Sequence, residues 1–200
     1  MKLLIATGNA HKLEEIRQLF SVPGIDLIGL SDLPEPAPEV PETGLTFEAN
    51  ALQKAVGYAA FADMWALADD SGLVVDALDG EPGIYSARYA GTHGDDAGNN
   101  RKVLEKLVGV PDSERGGRFV CAVAIAHPDG TTRVLEAACE GRIDHEETGD
   151  HGFGYDPMFI PEGHAQSFGV LDAAIKAEIS HRSKAVRAAA DAWSELLLGH

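Results

Sequence analysis

Trp65-Ala66-Leu67-Ala68-Asp69-Asp70-Ser71-Gly72-Leu73 carries an apolar run straight into two adjacent carboxylates and a glycine. Trp65 to Ala68 reads as a buried strand, and Leu73 to Leu78 as another. Successive side chains in a strand point to opposite faces, so two consecutive acids are not expected to be core together. The pair is therefore placed where the first strand emerges at its C-terminal end, the position at which α/β sheets put ligand chemistry. Two close carboxylates raise one another's pKa unless a cation neutralises them, and Mg²⁺ favours one or two carboxylates together with phosphate oxygens and water. Asp-Ser-Gly is equally good material for a surface turn.

Upstream of this stretch, Thr46 reads as the N-cap of a helix reaching about Ala62. Phe47, Ala51, Ala55 and Tyr58 form its inward stripe, and Asn50 and Lys54 share a neighbouring face. At the start of the chain, Lys2 to Ala6 reads as a strand and Thr7-Gly8-Asn9 as a tight turn. Leu13, Ile16, Leu19 and Phe20 then fall on one helix face. Amide groups at a helix start, with Lys12 one turn in, suit a phosphate, although the spacing is not that of a Walker A loop and a plain strand-to-helix turn looks the same. Ile25 to Gly29 is a candidate second strand. Pro34, Pro36, Pro38 and Pro41 mark an extended connection ending at Glu42-Thr43-Gly44.

Downstream, Asn99 to Val108 reads as helical. Arg118 to His127 and Thr132 to Glu140 read as a hairpin around Pro128-Asp129-Gly130, with a further strand at Gly141 to Asp144. Gly152-Phe153-Gly154-Tyr155-Asp156-Pro157 sets two aromatics between glycines, a loop able to stack on a base or to plug the core. An Ala-rich helix opens near Ser180. Arg182 falls in its first turn, where the macrodipole disfavours a cation, so an anionic ligand would offset the cost; a solvated face is the plainer reading.

The 200 residues suit one domain, 1–200, or one domain split into two lobes around a cleft, with enough apolar material (44%) for a real core. A net charge of −16 argues against a nucleic-acid binder, which needs a basic stripe. It also makes each of the 16 Lys and Arg informative, since a polyphosphate ligand would need cations gathered in one place. The apolar runs are too short to span a membrane, and a cytoplasmic location is expected. Cys121 and Cys139 lie in the two arms of the hairpin and read as reduced, small hydrophobes, with a disulfide or metal role as the alternative. Taken together, acidic metal-type ligands, a phosphate-type turn, scattered cations and an aromatic glycine loop describe a nucleoside triphosphate site.

The same motifs, in order along the chain, resemble the inosine triphosphate pyrophosphatases, also called XTP/dITP diphosphatases or the Ham1-like family. The matching stretches are Thr7 to Lys12, Glu42 to Phe47, Asn50 to Ala55, Ala68 to Leu73, Pro82 to Gly91, Gly152 to Pro157 and Ser180 to Arg182. The resemblance implies an α/β (mixed α+β) fold, with two lobes around a long curved mixed β-sheet, flanking helices and a central substrate cleft. It also implies a homodimer, Mg²⁺ as cofactor, and hydrolysis of ITP, dITP and XTP to the monophosphate and pyrophosphate. By the resemblance, Thr7, Gly8, Asn9 and Lys12 would bind phosphates, and Lys54 and Lys176 the triphosphate. Glu42 and Asp70 would hold Mg²⁺, Asp70 would also be the general base, and Ser71 would touch substrate. Phe153, Gly154, Tyr155 and Asp156 would contain the base, and His181 and Arg182 would read its keto edge.

Two departures stand out. Ala49 occupies a position where the family often carries Glu, so Glu15 or Asp69 would have to supply any supporting acid; Glu48 lies about 100° further round the helix. Asp172-Ala173-Ala174-Ile175 precedes Lys176 where relatives often carry Glu-Glu. The competing expectations are a Maf-like enzyme acting on modified pyrimidine triphosphates and a nucleotide sensor without catalysis.

Overall fold

Lys2–Ile5 forms the first strand, β1, and its last three residues are fully buried. The computed structural model describes residues 1–199. Thr7 to Asn9 breaks the strand, and Asn9 caps helix α1 (Ala10–Leu19) with its side-chain oxygen, which accepts from the His11 and Lys12 amides. β2 (Asp26–Gly29) then pairs in parallel with β1, Leu3 opposite Leu27. Parallel neighbours need a crossover, and α1 supplies it. After the proline-rich connection, α2 (Phe47–Ala62) begins at Thr46, whose hydroxyl accepts from the Ala49 amide, and stops at Asp63 in the left-handed region.

β3 (Ala66–Val75) lies parallel to β1, with Leu4 opposite Ala66. There follow α3 (Asp96–Lys106), β4 (Gly116–Ala126), β5 (Thr132–Ile143), β6 (Phe159–Pro161), α4 (Ala173–Ile179) and α5 (His181–Leu198). The strand order is β2-β1-β3-β4-β5-β6, and β5 pairs with β6 antiparallel. A mixed sheet with flanking helices is the α/β class expected. Among the described residues no helix is long and apolar enough to cross a membrane.

Several boundaries differ from expectation. Asp69 and Asp70 do not lie at a strand end; β3 continues through them as one ten-residue strand. The stretch 141–144 is no separate strand either, because β5 runs on to Ile143. α3 starts three residues earlier than its apolar spacing suggested, because Asp95 caps it through the Gly98 amide. α4, seven residues with none buried, has too faint a stripe to be read from sequence.

The chain divides into two compact units. The first comprises Met1–Asp70, Cys121–Ala137 and Arg182–His200. Its core gathers Leu3 and Ile5 of β1, Ile16 of α1, Leu67 of β3, Val123 and Ile125 of β4, and Val186, Trp193 and Leu197 of α5. The second comprises Ser71–Val120 and Ala138–His181. Its core is aromatic, built from Phe119, Tyr155, Phe159 and Phe168 with Leu73, Val103 and Ile143. Cys121 and Cys139 are both buried thiols, as expected of small hydrophobes.

Candidate active site

In the first unit the acid pair is the centre. Asp69 is 1% and Asp70 8% exposed, so the expectation that only one could be core is overturned. Alternation sets the two side chains on opposite faces of the strand, and both are tolerated because Lys12 and Lys54 act on each, with Arg182 added at Asp69. A buried carboxylate is stable as an anion only when paired and hydrogen-bonded.

Asp69 Oδ2 receives Lys12 Nζ at 3.0 Å and Arg182 Nε at 3.3 Å. Burial by itself pushes this carboxyl up, but Lys12, Arg182 and Lys54 outweigh it and hold Asp69 well below the usual carboxylate range. Arg182 is only 2% exposed, and its Nη1 also contacts Glu15. The cation at the unfavourable end of α5 thus has its cost offset by two carboxylates of the chain itself, where sequence reasoning looked to a ligand.

Asp70 meets a different set. Asn50 Nδ2 donates to its Oδ2 at 3.0 Å, and Lys54 Nζ lies 3.8 Å from its Oδ1. The same ammonium sits 2.6 Å from Glu42 Oε1. Burial raises the Asp70 pKa, and the attraction of Lys54 and Lys12 does not undo it; Glu42 adds to the rise. Lys54 is itself held above its ordinary value, because Asp69, Asp70 and Glu42 overcome the effect of burial. The two shifts are compatible: the 3.8 Å contact favours both charged forms equally, but Lys54 has three carboxylates to set against its burial, whereas the burial of Asp70 outweighs its cations and Glu42 adds to the rise.

Asn50 is the site residue that sequence reasoning undervalued. Its spacing of four from Lys54 puts both on one side of α2, and both reach Asp70. Its Oδ1 also accepts from the Gly44 amide at 2.8 Å, tying the end of the proline-rich segment to the acid. The helix start at Asn9 behaves differently from a vacant phosphate cradle, since Asn9 Oδ1 already takes the His11 and Lys12 amides. Thr7 Oγ1 accepts from the Asn9 amide at 3.2 Å, and Gly8 is exposed, with open space where a Cβ would stand.

No group of three or more His, Cys, Asp or Glu among the described residues is arranged as a metal cage. Glu42 and Asp70 nevertheless are a donor set that suits a hard divalent cation, one that takes few protein carboxylates and completes its shell with phosphate and water oxygens. A cation, the Lys54 ammonium, already bridges these two acids. Glu48 does not replace the acid missing at position 49. It pairs with Glu136, whose carboxyl is raised by burial and by that contact.

In the second unit, Ser71 is half-buried in β3. Gly72 permits a close approach beside it, since a Cβ there would strike Ser86 Oγ and the Gly83 carbonyl. Ser86 Oγ accepts from the Leu73 amide at 2.9 Å. The loop 152–157 is organised by Asp156, 2% exposed, whose Oδ2 accepts from the Phe153 amide at 2.8 Å and from Lys176 Nζ at 2.6 Å. The Lys176 ammonium also lies 4.6 Å from the centre of the Phe153 ring. Tyr155 is buried and donates its hydroxyl to the Ser86 carbonyl at 2.8 Å, so that aromatic plugs the core, whereas Phe153 is half-buried. His181 stacks on Phe119, centroids 4.7 Å apart and planes within 15°.

The Ham1 family matches residues 3–192. A protein of Rhodopirellula baltica named dITP/XTP pyrophosphatase is 51% identical over 92% of this chain and 89% of its own. One of Oceanobacillus iheyensis with the same name is 47% identical over 92% of this chain and 94% of its own. The solved structure of a HAM1 protein from Coxiella burnetii superposes with a TM-score of 0.88 at 36% identity, covering 98% of this chain and 99% of that one.

Proposed function

Because the chain belongs to the Ham1 family, we propose that it is a nucleoside triphosphate pyrophosphatase that hydrolyses the non-standard purine nucleotides dITP, XTP and ITP to monophosphate and pyrophosphate. The observation that carries the chemistry is the division of labour in β3. Asp69 is paired with Lys12 at 3.0 Å and Arg182 at 3.3 Å. Asp70, one residue on, accepts from Asn50 at 3.0 Å and stands 3.8 Å from Lys54, with burial raising its pKa. A carboxylate whose pKa is raised by burial is a stronger base than a free one and is better suited to accept a proton from water.

In the proposed step Asp70 accepts a proton from a water whose oxygen bonds to the α-phosphorus, and the bond from that phosphorus to the α,β-bridging oxygen breaks. The bridging oxygen leaves with its electron pair as part of pyrophosphate. Lys12 and Lys54 stand near Asp70 and are assigned to the charge that develops on this leaving group. Glu42 and Asp70 would hold Mg²⁺, which would supply charge neutralisation on the phosphates. Thr7, Gly8 and Asn9 are assigned to phosphate contacts, with Asn9 exchanging its own cap for the ligand. Ser71 is assigned to substrate contact, and Lys176 to a double part, charge for the triphosphate and order for the loop at Asp156.

Phe153 to Asp156 would contain the base. His181, held by Phe119, and Arg182, its guanidinium plane set by Glu15 and Asp69, would donate to a purine 6-keto oxygen. A 6-amino group would leave donor facing donor, which disfavours ATP. A single two-lobed domain, a homodimer and a cytoplasmic location complete the proposal. Pyrophosphate release from ITP, dITP, XTP, GTP, ATP and 5-methyl-UTP, with and without Mg²⁺, tests it. Preference for the first three is expected, and equal rates for ATP and ITP would refute the recognition scheme.

A further inference from the structure

We propose that Asp96 and Asn100 of α3 are positioning residues that hold the Gly154 peptide and so set the selectivity of the 152–157 loop; the inference rests on that loop containing the base. The two residues are four apart, on one side of the helix. Asp96 Oδ2 accepts from the Gly154 amide at 3.0 Å, and Asn100 Nδ2 donates to the Gly154 carbonyl at 3.1 Å. One residue is therefore gripped at both of its backbone polar groups from a single rigid element.

Gly154 is where such a grip has most effect. Its φ of +61° is a conformation that glycine adopts readily but does not prefer over others, so the residue does not fix its own geometry. Its neighbours are fixed differently: Asp156 holds the Phe153 amide, and the Tyr155 hydroxyl is anchored on Ser86. Without α3, Gly154 would be the hinge between two anchored residues.

The orientation of the Asn100 amide is determined by its partners. Its NH₂ faces two acceptors, the Gly154 carbonyl and Glu147 Oε2 at 2.7 Å. Its Oδ1 is buried without a hydrogen-bond partner. A buried acceptor left unmatched costs stability, a cost that an apolar residue at 100 would not incur. The side chain is thus explained by what its NH₂ holds. The next residues extend the same bracket to the loop before α3, where Asn99 Oδ1 accepts from the Ala90 amide at 2.7 Å and Lys102 Nζ donates to the Tyr89 carbonyl at 2.5 Å.

The test uses Asp96→Ala, Asp96→Asn and Asn100→Asp in the full chain, with kcat and KM measured for dITP and dGTP. Asp96 is exposed, so its replacement leaves the fold intact, which thermal unfolding verifies. Asp96→Ala is expected to raise KM for dITP about tenfold, the effect of one charge-assisted hydrogen bond, with kcat changed less than about threefold. The dITP-to-dGTP ratio of kcat/KM should fall similarly. Asp96→Asn, which keeps an acceptor for the Gly154 amide, should restore most of both. Asn100→Asp, which sets a carboxylate against the Gly154 carbonyl, should reproduce the selectivity loss.

Wild-type KM and selectivity in Asp96→Ala would overturn the inference while leaving the pyrophosphatase reading intact. Loss in Asp96→Asn equal to that in Asp96→Ala would also overturn it. A wild-type protein that releases no pyrophosphate from dITP would fail the functional reading itself, and the inference with it.

Discussion

Replacing Asp69 by Asn removes the charge of a fully buried carboxylate and leaves its shape. Two cations lose their partner: Lys12 at 3.0 Å and Arg182 at 3.3 Å. Breaking a buried pair by removing one member costs about 3–5 kcal/mol. The lower end applies here, since Arg182 keeps Glu15 and the Lys12 side chain is partly exposed. About 3 kcal/mol in a chain of this size corresponds to a fall in Tm of roughly 6–12 °C.

The effect should depend on pH in a definite direction. The folded pKa of Asp69 is depressed, so its contribution is present above the unfolded value of about 3.9 and is lost as pH falls through the folded value. The gap between wild type and variant should therefore be full at pH 7 and narrow below about pH 4. Thermal unfolding by circular dichroism at pH 7 and at about pH 2 measures both. Glu140→Gln, which loses an exposed pair with Arg118, is the control and should move Tm by no more than about 1–2 °C. A Tm for Asp69→Asn within about 2 °C of wild type at pH 7 would refute the reasoning that this buried network holds the first unit together.

Asp70→Asn should lower kcat about a hundredfold or more, the scale of a general base, with nucleotide affinity by calorimetry within about threefold of wild type. Near-native turnover would remove Asp70 from the mechanism. Cys121, its thiol pushed up to about 12 by burial first and by Asp69 second, should resist iodoacetamide in the native protein at pH 8 and react on unfolding. Gly72→Ala should destabilise by about 1–3 kcal/mol, because the added methyl meets a backbone carbonyl as well as Ser86. Urea unfolding reads that loss directly.

Much of this was legible in the chain itself. The strand at Lys2, the Thr46 cap and the hairpin follow from periodicity and turn chemistry, all local signals. The acid pair is legible as the chemical centre but its burial is not, because alternation predicts the face of a side chain and says nothing of what waits there. Arg182 comes from a residue 113 positions beyond Asp69, and no spacing rule connects them. For the same reason the sequence does not show that Glu15 and Asp69 balance the charge of Arg182. The spacing of Asn50 from Lys54 is a local signal, but their shared partner Asp70 lies on β3, which no local pattern places beside α2. Asp96 and Asn100 gave no signal: an acid and an amide on a polar helix face have no chemistry until the Gly154 peptide is beside them.

The central claim is hydrolysis of a non-standard purine triphosphate by attack of water at the α-phosphorus. Turnover of dITP in ¹⁸O-labelled water, followed by mass analysis of both products, tests it most directly. One labelled oxygen in the nucleoside monophosphate and unlabelled pyrophosphate is the predicted result. Label in the pyrophosphate, or release of orthophosphate and a nucleoside diphosphate, would contradict it.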